Sequence, residues 1–264
     1  MTSAFRDFAR GLSIQVHVIH ALILRETRTA FGQHKLGYIW ALASHGFFIG
    51  IFAAMFVFAN RSVPSGMDVI GFLCTGFLTY NLFMGTQGKA KTAVKANVSL
   101  LYYPQVHPLD LVAARCLLEI ATVMVAFFLF MFANTIYTQH FPLDSALLTL
   151  AGLFLAALLG SALGLCTNSL CVLWPTMEQL IGPLLRPLFW ISGLFFSIAE
   201  IPLFAREALL WNPVLHVIEM TRDGWFKTYN YKFYSFSYVI YWILGLTVLG
   251  LITERLNRNK VLSS

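Results

Sequence analysis

Polar and apolar positions alternate along this chain in long blocks. Four stretches, 36–60, 69–88, 120–141 and 145–177, carry no charged residue. A helix that crosses a bilayer needs about 20 mostly apolar residues, so each of the four is long enough to span. The stretch 145–177 has room for tilt or for a break at Pro175. A fifth stretch, 179–199, is interrupted by Pro183, Arg186 and Pro187, and a sixth covers 233–253. The pattern predicts six spans.

Three segments have a different rhythm. Between residues 3 and 23 the apolar Phe5, Phe8, Leu12, Val16, Ile19 and Ile23 recur every three or four positions, with Arg6, Asp7, Arg10, Gln15 and His17 between them. That periodicity predicts an amphipathic helix in the headgroup plane, too polar to span. The connection 89–107 starts basic and ends in Leu100-Leu101-Tyr102-Tyr103-Pro104-Gln105, where Pro104 and Pro108 limit any helix. The segment 201–232 is too polar to span, yet it holds Ala208-Leu209-Leu210-Trp211 and Val214-Leu215-His216-Val217-Ile218, with Pro202 and Pro213 where helices can start. It is expected to form two short re-entrant helices, buried in protein or lining a cavity.

Six spans place both termini on one side, and basic residues tell which. Arg6, Arg10, Arg25, Arg28 and Lys35, then Lys89, Lys91 and Lys95, then Arg255, Arg258 and Lys260 share the predicted cytoplasmic face. The opposite loops hold Arg61 with Asp68, then Asp144, and the segment 200–232 balances four acids with four bases. The first 35 residues lack the apolar core and cleavage site of a signal peptide and are expected to stay in the mature chain.

Composition supports the membrane reading. Of 264 residues 58% are hydrophobic and 11% charged, against roughly 25% charged in an average soluble domain. A water-soluble fold would have to expose large apolar surface. The net charge of +6 comes mostly from loops and termini, not from a basic stripe interleaved with aromatics, which argues against nucleic acid as a partner. Cys74, Cys116, Cys166 and Cys171 match neither a zinc site nor a redox pair. Gly85-Thr86-Gln87-Gly88-Lys89 lacks the spacing and the hydroxyl residue of a phosphate loop. No zinc helix, nucleophile elbow or carboxylate pair within one span is present, so neither an enzyme nor a chain that binds ATP by itself is indicated, and no bound cofactor or metal is expected.

Ionisable groups at membrane depth are the remaining candidates. Arg115 and Glu119, four apart, share a helix face and form a candidate pair; Glu178 and Arg186 lie two turns apart on another. A guanidinium at Arg186, between two prolines, suits an anionic group held in a bidentate pair, or a structural partner. Ten aromatics fall between Trp225 and Trp242, either as an interfacial belt or, with Trp40, Tyr80, Trp174 and Trp190, as a path on which sugar rings stack. Seven scattered histidines offer no ligand set.

Three motifs carry a resemblance: Lys35-Leu36-Gly37-Tyr38-Ile39-Trp40-Ala41-Leu42, Leu100-Leu101-Tyr102-Tyr103-Pro104-Gln105-Val106-His107-Pro108-Leu109-Asp110, and residues 211–226 from Trp211-Asn212-Pro213 through Glu219, Arg222 and Asp223 to Trp225-Phe226. With the order of parts, the chain resembles the capsular polysaccharide export permeases of type-two ABC exporters over nearly its whole length. The resemblance implies one all-α transmembrane domain: 1–35 interfacial, 36–199 with five spans, 200–232 re-entrant, 233–254 the last span and 255–264 a tail. It also implies a homodimer in the bacterial inner membrane, with two cytoplasmic ATPase subunits that bind the ATP and magnesium. A periplasmic adaptor and an outer-membrane exporter complete the implied route for an acidic, lipid-linked polysaccharide. ATPase coupling falls on Arg25, Arg28 and Lys35 and on Lys95, Asn97, Leu100, Tyr102, Tyr103 and Gln105. The substrate path is assigned Trp40, Tyr80, Arg115, Trp174, Arg186 and Trp190, and the outer gate Trp211, Asn212, Pro213, His216, Glu219, Arg222 and Asp223. Permeases for O-antigen or teichoic acid, or for small-molecule efflux, share the architecture.

Overall fold

A computed structural model describes residues 2–31, 36–63, 67–229 and 231–261; of 2–10, 12, 30, 31, 36, 38 and 257–261 it describes the backbone alone. The chain runs through α1 (Thr2–Phe31), α2 (Leu36–Phe58), α3 (Val69–Lys91), a 3₁₀ segment (Lys95–Tyr102), α4 (Pro108–Thr138), α5 (Ala146–Leu173), α6 (Met177–Ile191), α7 (Leu203–Leu209), α8 (Pro213–Trp225) and α9 (Phe236–Val261). Among the described residues there is no strand, and five helices, α2, α3, α4, α5 and α9, are long and apolar enough to cross a membrane.

Local chemistry sets the ends of these helices. Asp68 caps α3 by accepting the Gly71 N–H at 2.7 Å, and Ser145 caps α5 by accepting from Leu148 at 3.3 Å. Pro108 occupies the first turn of α4, where His107 and Asp110 form a reciprocal capping box. Thus α4 starts a dozen residues before the uncharged stretch that announced it and carries Asp110, Arg115 and Glu119 on its first turns. Asn212 caps α8 by accepting the Val214 N–H, with Pro213 in the first turn, and Pro202 immediately precedes α7.

The centre of the bundle is α3, packed against α2, α4, α5 and α8. Close approach to α5 depends on a seam of small residues, Gly152, Ala156, Gly160 and Gly164, spaced by four and all buried, with Gly152 against α8 and Gly160 and Gly164 against α3. A Cβ at Gly160 would press on the Phe83 carbonyl, and one at Gly164 on Ala90 and Gln87. Thr86 bridges the two helices by donating to the Ala157 carbonyl at 3.2 Å, and Gln87 donates to Thr167 at 3.1 Å. Helices α2 and α9 are peripheral, with only 11% of their apolar windows buried.

The fifth apolar stretch departs from the expected span. Helix α6 has 15 residues, about 22 Å at 1.5 Å per residue, against about 30 Å of hydrocarbon. Pro183 and Pro187 lie inside it, and the chain leaves it through Gly193, whose φ of +81° favours glycine. The N-terminal helix differs in its contact face. Gln15, Val18, Leu22 and Glu26 turn to α4; of the predicted apolar stripe Ile23 packs against the same cluster, while Val16 is 58% exposed. Phe5, Phe8 and Leu12 of that stripe lie outside the residues whose side chains are described.

Candidate functional site

Three constellations gather the residues singled out above. The first lies where α3 ends. Its 3₁₀ segment kinks at Asn97 (φ −134°, ψ 25°), so the stretch assigned to ATPase coupling is a tight, broken turn. Asn97 is buried: its side-chain oxygen accepts from Arg25 Nη1 at 2.8 Å and its amide donates to the Ala93 carbonyl at 3.0 Å. Beside it, Arg115 Nε reaches Glu26 at 2.8 Å and Nη1 donates to Thr92 at 3.0 Å. Gln15 also bonds to Asp110. A separate apolar cluster, with Leu22, Ala90, Ala93, Leu111 and Ala114 at its centre and Leu100 and Leu101 against it, fills the space between α1, α3 and α4. The two ATPase-contact regions inferred from sequence are thereby one body. Tyr102 (85% exposed), Tyr103, Gln105, Lys95 and Arg28 stay on its surface, and Lys35 lies outside the described residues.

Two pairings read from spacing are replaced. Arg115 turns to Glu26 and not to Glu119, because α1 covers that face of α4; Glu119 instead faces Lys89 at 3.9 Å. Glu178 pairs with Lys95 at 2.6 Å, since the α5–α6 turn carries it back over the 3₁₀ segment. The hydrogen bond to Glu178 and its charge raise the Lys95 ammonium above its ordinary range. Arg186 is exposed on α6 and has no ion pair or hydrogen bond to another described residue.

The second constellation is an aromatic cleft of about 580 Å³ between α2 and α3. Phe48, Phe52, Phe77, Tyr80 and Phe189 line it, with Ser44, His45, Asn81 and Glu119 as its polar groups. Tyr80 and Phe189 meet edge-on at 5.5 Å, and Phe48 stacks on Phe77 at 5.8 Å. Of the six residues assigned to a path, only Tyr80 lines this cleft. Trp40, Trp174 and Trp190 are exposed elsewhere on the chain. Phenylalanines in α2 and α3 were missed because one more Phe in an apolar span gives no signal.

The third constellation fastens the turn after α6 to α8. Arg222, with no exposed surface, donates to the carbonyls of Phe196 (3.1 Å) and Leu194 (3.2 Å) and lies 3.9 Å over the Phe72 ring. Glu219, equally buried, is 3.5 Å from Arg222 and accepts from the Ile198 N–H at 3.2 Å and from the Tyr229 hydroxyl. Gly76 makes room: a Cβ there would sit 2.7 Å from Arg222 Nη2. Both His216 nitrogens are engaged, one with the Leu210 carbonyl and one accepting from the Ser235 N–H, which fixes the neutral tautomer. Asn212 donates to Ser192 at 2.8 Å, Asp223 accepts from Tyr234 at 2.6 Å, and the carbonyl of exposed Trp211 accepts from Tyr238. Except for Trp211, the residues assigned to the gate that make these bonds are buried internal fasteners. No group of three His, Cys, Asp or Glu among the described residues is arranged to hold a metal.

Comparison with known proteins places this architecture. Residues 17–226 match the family profile described as ABC-2 type transporter. The chain is 28% identical over 254 residues to the polysialic acid transport protein KpsM of Escherichia coli, covering 96% of this chain and 98% of that protein. It is 30% identical over 245 residues to the capsule polysaccharide export inner-membrane protein BexB of Haemophilus influenzae, covering 93% and 92%. Against the capsule polysaccharide export inner-membrane protein CtrC of Neisseria meningitidis serogroup A it is 30% identical over 253 residues, with the same coverage.

Proposed function

Because the chain belongs to the ABC-2 type transporter family, we propose that it is the membrane permease of an ATP-driven exporter of capsular polysaccharide in the bacterial inner membrane. Likeness to three proteins named for polysialic acid transport or capsule export, over more than nine-tenths of the chain, carries this reading. The permease works as a homodimer whose two copies enclose the route. Two ATPase subunits on the cytoplasmic side bind ATP and magnesium, and this chain supplies no ATPase site. A periplasmic adaptor and an outer-membrane exporter take the acidic, lipid-linked polymer onward.

The fold supports a division of labour. Six crossings, with α6 and the turn to Glu200 as the fifth, place both termini in the cytoplasm beside the 3₁₀ segment, and α7 and α8 re-enter from the other face. The body built from α1, the 3₁₀ segment and the start of α4 offers Tyr102, Tyr103, Gln105 and Arg28 to an ATPase cleft. Movement there reaches the bundle through α3, the most buried of the five candidate span helices. The aromatic cleft suits a sugar chain, whose ring faces are apolar and whose hydroxyls pair with Asn81 and Glu119. Arg186, exposed and unpartnered among the described residues, meets the polymer's anionic groups at the interface of the two copies.

The test is deletion of the gene, followed by fractionation and antibody or lectin labelling of surface glycan. Polymer retained inside the cell, and returned to the surface by a plasmid copy, is the expected result. Polymer that still reaches the surface would refute the reading and move a different glycan or a small molecule forward as cargo.

A further inference from the structure

Where α3 and α5 reach their ends, at Lys91 and Leu173, a crevice of about 260 Å³ opens between the 3₁₀ segment and the α5–α6 turn. Its walls are apolar, from Val94, Val98, Val172 and Pro175, and its rim carries Lys91, Lys95 and Glu178. The charges do not cancel. Glu178 gives its carboxylate to Lys95 at 2.6 Å, whereas Lys91 Nζ meets the Glu178 backbone carbonyl at 3.5 Å, the outer limit of a hydrogen bond. The rim therefore carries two ammonium groups and one carboxylate beside an apolar slot, where two candidate span helices end.

We propose that this crevice binds the headgroup of an anionic membrane phospholipid, its phosphodiester on Lys91 and Lys95 and its glycerol and upper acyl carbons against Val98 and Val172. A soluble phosphate would match the lysines but leave the apolar walls uncovered. A zwitterionic headgroup would bring a further cation to a rim that is already net positive. Basic groups between helices at headgroup level suit anionic lipid for both reasons. Seated there, the lipid joins the 3₁₀ segment to the start of α6 alongside the Lys95–Glu178 pair, so the position of that segment depends on the lipid around it. The proposal stands apart from the export reading, since it needs neither cargo nor ATPase.

Native mass spectrometry of the full-length chain, purified in mild detergent and titrated with phosphatidylglycerol or phosphatidylcholine, tests it. One phosphatidylglycerol per chain is expected to persist at activation energies that strip phosphatidylcholine. Lys91→Ala and Lys95→Ala should each lower its retention about fivefold. Val98→Trp, which fills the slot and leaves the charges, should also expel it. Lys89→Ala, outside the crevice, should retain it. Equal retention of the two lipids, loss in Lys89→Ala as large as in Lys91→Ala, or full retention in Val98→Trp would each overturn the proposal. So would a bound lipid found only in protein from cells that make the polymer, because the occupant would then be the cargo's own lipid end.

Discussion

Arg115 of α4 and Glu26 of α1, 89 positions apart, are joined by a 2.8 Å charge-assisted hydrogen bond with both side chains about seven-eighths covered. The bond fixes the N-terminal helix to the same body as the 3₁₀ segment, since Arg115 also holds Thr92 and Arg25 holds Asn97. Arg115→Ala removes that link and leaves Glu26 partly buried without its partner, at a cost of about 2 kcal/mol. A lower melting temperature of the purified chain is expected, with partial recovery in the exchanged pair Glu26→Arg with Arg115→Glu. If the exchanged pair is no better than Arg115→Ala alone, the contact does not hold the helix.

The Glu219–Arg222 pair makes a sharper prediction because it is fully buried. Removing one member strands the other, which costs about 3–5 kcal/mol, whereas replacing both by apolar residues of similar volume is much milder. Glu219→Leu and Arg222→Met should each reduce the folded protein recovered as a single peak in size-exclusion chromatography. The double variant should recover more than either single one. Equal loss in all three would assign the damage to the missing bonds of Ile198 and Tyr229 rather than to the stranded charge.

Gly160 faces the Phe83 carbonyl with no room for a side chain, while Gly182 has open space around its Cβ position. Gly160→Val should force α3 and α5 apart, an overpacking change of about 1–3 kcal/mol or more. Gly182→Ala should be neutral or stabilising by about 0.5 kcal/mol or more through helix propensity. Thermal unfolding of the two purified variants separates close packing from a general intolerance of glycine replacement.

Phe48 lines the aromatic cleft but is half exposed, so its removal costs little packing. Phe48→Ala should lower polymer export by roughly two- to tenfold, the equivalent of one aromatic stacking contact, with unchanged protein in the membrane. Phe48→Tyr should export normally, and Phe47→Ala, outside the cleft, should behave as wild type. Normal surface polymer in Phe48→Ala would remove the cleft from the route.

By itself the sequence determined what depends on neighbours along the chain. The uncharged blocks foretold α2, α3, α4, α5 and α9, because span length follows from bilayer thickness. The prolines at 202 and 213 marked the starts of α7 and α8, since a missing N–H is harmless only in a first turn. Lys91 and Lys95 were visible as charges. Only the tertiary structure decided what those charges meet. Glu178 turns from Arg186 to Lys95, and Arg115 from Glu119 to Glu26, because each partner arrives on another helix from more than eighty positions away. The aromatic cleft is drawn from α2, α3 and α6, and no spacing within one of them records that they converge. The small-residue seam of α5 went unread, because glycines and alanines in an apolar span do not say which helix they admit. Glu219 and Arg222, assigned to the outer gate by resemblance, are buried, and both Glu219 oxygens and the two terminal nitrogens of Arg222 bond to the turn and its neighbours.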